Sequence, residues 1–430
     1  MRGRLVRAAL IAVTTVSATL VFAPAAPVQA ADPCGDGGAK PAEPIKDVPW
    51  QQKWLSPDRV WPFATGVGQT VAVIDTGVDG THDQMQGQVL PGFDIVERHP
   101  DNRNVDCVGH GTAVASLIAA KASNAVGFHG LAPDAKILPI RVSNVDPGSD
   151  QHGPKQPGPA AVAEAINLAV DNHATVIDVS PSLQFPDPAL EAAVRKALDA
   201  GVVVVAAAGD VRDANKAVDD NTYPAALDGV IGVGAVDAGF GRSGNSNIGP
   251  YVKVTAPGDG TIAATRIAGH QGWTGTSIAA ATVAATAALV RQAWPRLKPN
   301  EVALRITATA DPAPGGQLGM AYGHGIVDPY RAVTEKTVKG VPAAVPGVAA
   351  PSIDPAAVER TDWWRWTSTV ALIATGAAAF LLIVVGALAV VLPRGRRQRW
   401  RPKRAPRPVE PVTAGDEADD IFAVPRPHGG

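Results

Sequence analysis

The 430 residues suffice for one large domain with appendages, and a hydrophobic content of 46% is that of an ordinary globular protein, low in aromatics at 5%. Lysine and arginine number 38 against 40 aspartates and glutamates, and this near balance excludes the overall basic character of a nucleic-acid-binding chain. The basic residues are nonetheless unevenly placed.

The first of them open the chain. Arg2, Arg4 and Arg7 precede an apolar stretch over 8–22, and small residues at Val28 and Ala30 offer a cleavage site before Ala31 or Asp32. This pattern reads as a secretory signal over 1–30, with an uncleaved anchor as the alternative. Either one directs the next segment out of the cytoplasm. An extension over 31–49 comes after it. It holds Cys34, which with Cys107 makes up the cysteine content of the chain. In an oxidising compartment an even pair favours a disulfide over two free thiols, and neither cysteine has the close Cys or His spacing of a metal site.

From about 50 to 337 short β-branched runs alternate with alanine-rich helical stretches. Strands are predicted over 70–74, 136–142, 175–179, 202–207, 230–235 and 251–254, and helices over 110–121, 160–172, 188–200, 277–293 and 299–310. Strands that are continuous apolar runs separated by helices predict an α/β domain whose parallel sheet is covered on both faces. Such sheets hold their ligands beyond the carboxyl ends of the strands.

The stretch 338–366 is rich in Pro, Ala and Val and reads as a semi-rigid linker. A transmembrane helix is expected over 367–392, since 369–392 carries no charge and Trp363, Trp364 and Trp366 suit an interfacial belt. Arg394, Arg396, Arg397, Arg399, Arg401, Lys403 and Arg404 follow at once. By the positive-inside rule they remain cytoplasmic, which leaves the globular portion outside. The tail over 393–430 turns Pro-rich and then acidic and is expected to be disordered.

Three segments carry chemistry. The run VAVIDTG ends a strand at Asp75, HGTAVA starts a helix at His110, and GTSIAA starts another with Ser277 near its tip. Acyl transfer needs a nucleophile, a base for its proton and an acid that fixes the base's tautomer. Taken singly, each segment has a blander explanation: a turn-forming Asp, a surface His, a loop Gly-Thr-Ser. Together, in the order Asp, His, Ser, they match one known arrangement of a catalytic triad.

The three segments resemble the signature motifs of the subtilisin (subtilase) family. Further matches follow in the family's order: VVVVAAAG over 202–209, Tyr223-Pro224, VIGVGAVD over 230–237, VTAPG over 254–258 and YGHGIVD over 322–328. The resemblance implies a subtilisin-like three-layer fold and a serine endopeptidase acting on proteins or peptides through Asp75, His110 and Ser277. It gives substrate-binding places to Ser180 and Gly209, and an oxyanion place to residue 210. A narrower resemblance is to the mycosins, the subtilases tied to type VII secretion. It rests on the signal, the short extension, Cys107 just before the His motif and the single C-terminal membrane helix. It implies membrane components of that system as partners, and an extension that wraps the domain, pinned by Cys34–Cys107. The alternative is a weakly active or inactive subunit that stabilises the secretion complex.

The chain departs from the subtilase pattern at three places. Asp210 stands where the family has an oxyanion Asn; an ionised carboxylate cannot donate, so a protonated Asp210 or nearby Asn215 would have to serve. Pro181 follows Ser180 and removes an N–H from the edge that pairs with substrate, and Ala281 replaces a helix proline. The primary pocket, walled partly by 206–209, is expected to be narrow and apolar. No cofactor or metal is implied; Asp219 and Asp220 read as solvated loop charges.

Overall fold

The computed structural model describes residue 34 and residues 41–98, 104–145, 157–314, 318–336 and 355–397. The signal read over 1–30, the linker over 338–354 and the tail from 398 onward lie outside the described residues.

Two short helices, α1 (Trp50–Leu55) and α2 (Pro57–Val60), precede β1 (Thr70–Asp75) and β2 (Phe93–Asp94). Then come α3 (His110–Ala119), β3 (Lys136–Arg141), α4 (Pro159–Asp171), β4 (Val176–Val179), α5 (Pro188–Asp199), β5 (Val203–Ala207), β6 (Ile231–Val236) and β7 (Val252–Pro257). A hairpin of β8 (Thr261–Ala264) and β9 (His270–Trp273) leads into α6 (Thr276–Ala293), α7 (Pro299–Ala308) and α8 (Pro329–Thr334). The strands β1 to β7 form one sheet in the order β2-β3-β1-β4-β5-β6-β7, with every paired neighbour parallel.

Alternation along β1 shows why its apolar run is continuous. Val71 and Val73 pack into the layer that contains α3 and α6, while Ala72 and Ile74 pack into the layer of α4 and α5. Both faces of the strand are covered, so neither can be polar. The three-layer expectation holds. The chain passes from β1 to β3 on one side of the sheet and to β4 on the other, so the topology switches at β1. A crevice opens beyond the carboxyl ends at such a point, and Asp75 lies at its lip.

Strand and helix ends differ modestly from expectation. β7 runs past Val254 because Thr255, Ala256 and Pro257 continue the ladder beside Gly234, Ala235 and Val236. The helix at His110 stops at Ala119, where Ala120 turns extended and its carbonyl accepts from Gly130 N–H at 2.8 Å. The hairpin and the helices α1, α2 and α8 are absent from the sequence prediction, being too short to show a period.

The extension is docked by backbone pairing. Ala42 N–H donates to Ala268 O at 3.0 Å, His270 N–H to Glu43 O at 3.2 Å, and Gly127 N–H to Ile45 O at 2.9 Å. Gly269 permits this approach: its φ is +81°, and a Cβ there would lie 1.9 Å from Ala42 O. His270 locks the strand. Its Nδ1 accepts from Ile45 N–H at 3.2 Å, so its Nε2 donates to Gln84 Oε1 at 2.7 Å. Burial, and then neighbouring His82, lower the His270 pKa to about 4. A proton on Nδ1 would face the Ile45 N–H with a second donor. The stabilisation from the neutral ring is complete above the ordinary pKa of about 6.5 and is lost as pH falls through about 4. The melting temperature of the wild type is therefore expected to drop on acidification across that window, and less steeply in His270→Gln. Equal slopes would remove His270 from the acid response.

Cys34 and Cys107 form a disulfide with their Cα atoms 5.3 Å apart. It closes a separation of 73 residues, for which chain entropy gives about 4 kcal/mol. Replacing both cysteines by alanine is expected to lower the unfolding free energy by about that much. Denaturant midpoints measure it, and an unchanged midpoint would contradict it.

Contacts divide the chain into two compact units, one up to Pro351 and one from Ser352. In the second, α9 (Pro355–Arg397) is a single helix. Its stretch Val370–Arg397 has a mean hydropathy of 2.6, is unburied, and is long and apolar enough to cross a membrane. This helix takes in 355–366 of the stretch read as a semi-rigid linker. Ala356, Ala357, Glu359 and Arg360 are good helix formers, and nothing interrupts them before the apolar run.

Candidate active site

Two tight approaches bring the first two motifs together. A Cβ at Gly77 (φ +106°) would lie 1.9 Å from Val105 O, and one at Gly111 would lie 2.0 Å from Gly77 O and 3.1 Å from the Asp75 Cβ. Only glycines let the α3 tip sit against the end of β1. His110, the first residue of α3, then reaches Asp75: its Nδ1 is 2.8 Å from both carboxylate oxygens. On its far side, Nε2 is 2.9 Å from Ser277 Oγ near the start of α6. All three side chains are buried, and the ring of Trp273 meets that of His110 edge-on at 5.9 Å. Asp75, His110 and Ser277 thus form one continuous hydrogen-bonded chain.

The threonines of these motifs have a partner that the sequence reading missed. Asp106 is fully buried, and its oxygens accept from Thr76 Oγ1, Thr112 Oγ1 and the N–H groups of Val108, Gly109 and Thr112. Thr76 Oγ1 in turn accepts from Gly111 N–H at 3.0 Å. Burial pushes the Asp106 carboxyl up, and this set of donors opposes it. An Asp next to a cysteine looks like a loop residue in sequence. Here it fastens the tip of α3.

Gly209 and Asp210 follow β5. Gly209 has φ +100°, and its N–H donates to Thr276 Oγ1 at 2.9 Å. Asp210 Oδ1 accepts from Thr276 N–H at 2.8 Å, and Oδ2 lies 3.1 Å from Thr276 Oγ1. The carboxylate therefore addresses the first residue of α6, accepting from its N–H. Asn215 does not serve as a substitute donor. It is exposed, and its Nδ2 is turned to Asp213 Oδ1 at 3.1 Å.

Ser180 is buried; its N–H donates to Ile74 O at 3.2 Å, and its Oγ has no hydrogen-bond partner among the described residues. Beyond Pro181, Leu183 exchanges two backbone hydrogen bonds of 2.8 Å with Tyr223, so that part of the edge is already paired. Ala281 is fully buried inside α6. Asp219 is not a solvated charge: it is buried and accepts from Ile248 N–H, Asp213 N–H and Arg212. Asp220 is exposed and pairs with Lys216 at 2.7 Å. Among the described residues no group of three or more His, Cys, Asp or Glu gathers to hold a metal.

The model of the Subtilase family matches residues 66–325. Mycosin-1 of Mycobacterium tuberculosis is 34% identical over 402 residues, covering 83% of this chain and 88% of that one. Thermitase of Thermoactinomyces vulgaris is 34% identical over 284 residues, covering 66% of this chain and 94% of that one. Among solved structures, MycP1 from the ESX-1 type VII secretion system is similar with a TM-score of 0.62 and 30% identity, covering 72% of this chain and 91% of that one. The chain belongs to the subtilase family of serine proteases and, within it, to the mycosin branch.

Proposed function

We propose that the chain is a membrane-anchored serine endopeptidase working beside a type VII secretion system. The observation that carries the reading is the unbroken contact from Asp75 through His110 to Ser277, at 2.8 and 2.9 Å. Ser277 Oγ attacks a peptide carbonyl, and His110 Nε2 takes its proton and returns it to the leaving amine. Asp75 holds the imidazole with Nδ1 protonated, which leaves Nε2 as the base. The N–H of Ser277, at an open helix start, donates to the oxygen that becomes negative. Asp210 occupies the second donor's place and slows the step. Ser180 and Gly209 line the run of substrate on the acyl side.

The helix α9 anchors the chain once in the plasma membrane. The arginines from Arg394 on stay in the cytoplasm, and the protease domain over 50–337 lies outside. The Cys34–Cys107 disulfide agrees with an oxidising exterior. The relatives' setting supports type VII membrane components as partners. A second reading, a weakly active subunit that stabilises that complex, is favoured by the acceptor geometry of Asp210. Hydrolysis of a peptide library by the purified full chain tests the proposal. Cleavage that disappears in Ser277→Ala agrees with it, while no cleavage by wild type leaves the subunit reading.

A further inference from the structure

Two buried acids flank the reactive chain and differ in one respect. Asp106 has five donors on its oxygens. Asp178 is just as deeply buried, and among the described residues no group donates to either of its oxygens. Register sets Asp178 of β4 between Val73 of β1 and Val205 of β5, residues of the layer that contains α3 and α6. It lies one strand from Asp75 and two residues before Ser180. A lone carboxylate there would be an uncompensated charge in an apolar core, a state that proteins avoid by keeping the proton.

We propose that Asp178 is a positioning residue: an uncharged carboxylic acid that keeps β4 packed beneath Asp75 and His110, and whose ionisation in alkali loosens that strand and ends activity. Burial first, and the charge of Asp75 second, push its carboxyl well above the ordinary carboxylate range, with His110 opposing. The titratable groups facing it are Asp75 from β1 and His110 from α3. From β5 it meets Val205, and α6, which packs over β4, carries no charge before Arg291. The acid form is spatially equivalent to an amide, so Asp178→Asn keeps the shape and removes the proton.

An acid whose folded pKa is raised contributes fully below its unfolded value of about 4, and that contribution is lost as pH rises through the folded value. The test is the melting temperature of the purified full chain from pH 4 to 10, wild type beside Asp178→Asn. The gap in favour of the variant is expected to widen with pH by roughly 2–4 °C per pH unit until Asp178 titrates. A gap independent of pH overturns the proposal. If the variant does not fold, the carboxyl carbon signal of Asp178 in labelled wild type decides: unshifted through neutral pH supports the acid form, and an ionised signal overturns it. The activity arm rests on the protease reading above; the melting arm does not. For activity, the alkaline fall in kcat of about tenfold per pH unit is expected in wild type and absent in Asp178→Asn. Identical alkaline limbs overturn the positioning role.

Discussion

Ser277→Ala is expected to lower kcat on the order of 10⁶-fold, leaving the residual rate that binding and oxyanion contacts alone provide. The magnitude reflects the cooperative nature of the chain of hydrogen bonds. In the proposed mechanism His110 Nε2 takes the proton of Ser277 Oγ, 2.9 Å away, and Asp75, 2.8 Å from Nδ1, fixes the ring that receives it. Take the hydroxyl away and neither partner has work left. His110→Ala is therefore expected to cost a similar factor, and the double substitution little more than either one. Additive losses would mean that the two side chains act separately, contrary to the geometry. The fold should survive, because a buried serine becomes a slightly smaller buried alanine at the start of a helix otherwise rich in alanine. Burst and steady-state kinetics on a peptide ester measure the effect.

Asp210→Asn works in the opposite direction, with an expected gain in kcat of about 10²–10³-fold at neutral pH. The bond from Thr276 N–H to Oδ1, at 2.8 Å, is one that an amide oxygen accepts equally well. The other atom becomes an NH₂ donor where a carboxylate oxygen now stands. Thr276 Oγ1, 3.1 Å away, can accept from it. Under the proposed mechanism the substitution puts a donor where the oxyanion develops, a hydrogen bond made in the transition state, so kcat should rise while KM changes little. Equal kcat values at neutral pH would take Asp210 out of the mechanism.

The parallel sheet was readable because its strands are apolar without alternation, and Val71 to Ile74 proved to be buried on both faces. Asp75, His110 and Ser277 were readable from the chain order of their three motifs and the resemblance those motifs carry, while the close approaches at Gly77 and Gly111 that bring the first two together emerge only in the fold. What sequence did not reveal depends on contacts distant in the chain. Asp106 looks like an ordinary loop acid until its five donors converge on it. Asp178 interrupts the apolar run of β4, a central strand buried throughout, and only its surroundings in the fold reveal that no group among the described residues pairs with it. The docking of Ala42 on the β8–β9 hairpin is a backbone interaction, which leaves no side-chain signature beyond Gly269. The role of Asp210 as acceptor rather than donor was set by the orientation of Thr276, which no spacing encodes.

The most direct measurement is fluorophosphonate labelling of the full-length protein at neutral pH, with the modified residue located by mass spectrometry. The phosphonyl group is expected on Ser277, and labelling is expected to be lost when His110 is replaced by alanine. Wild-type protein that stays unlabelled, or a His110→Ala protein labelled at Ser277 just as quickly, would overturn the triad mechanism.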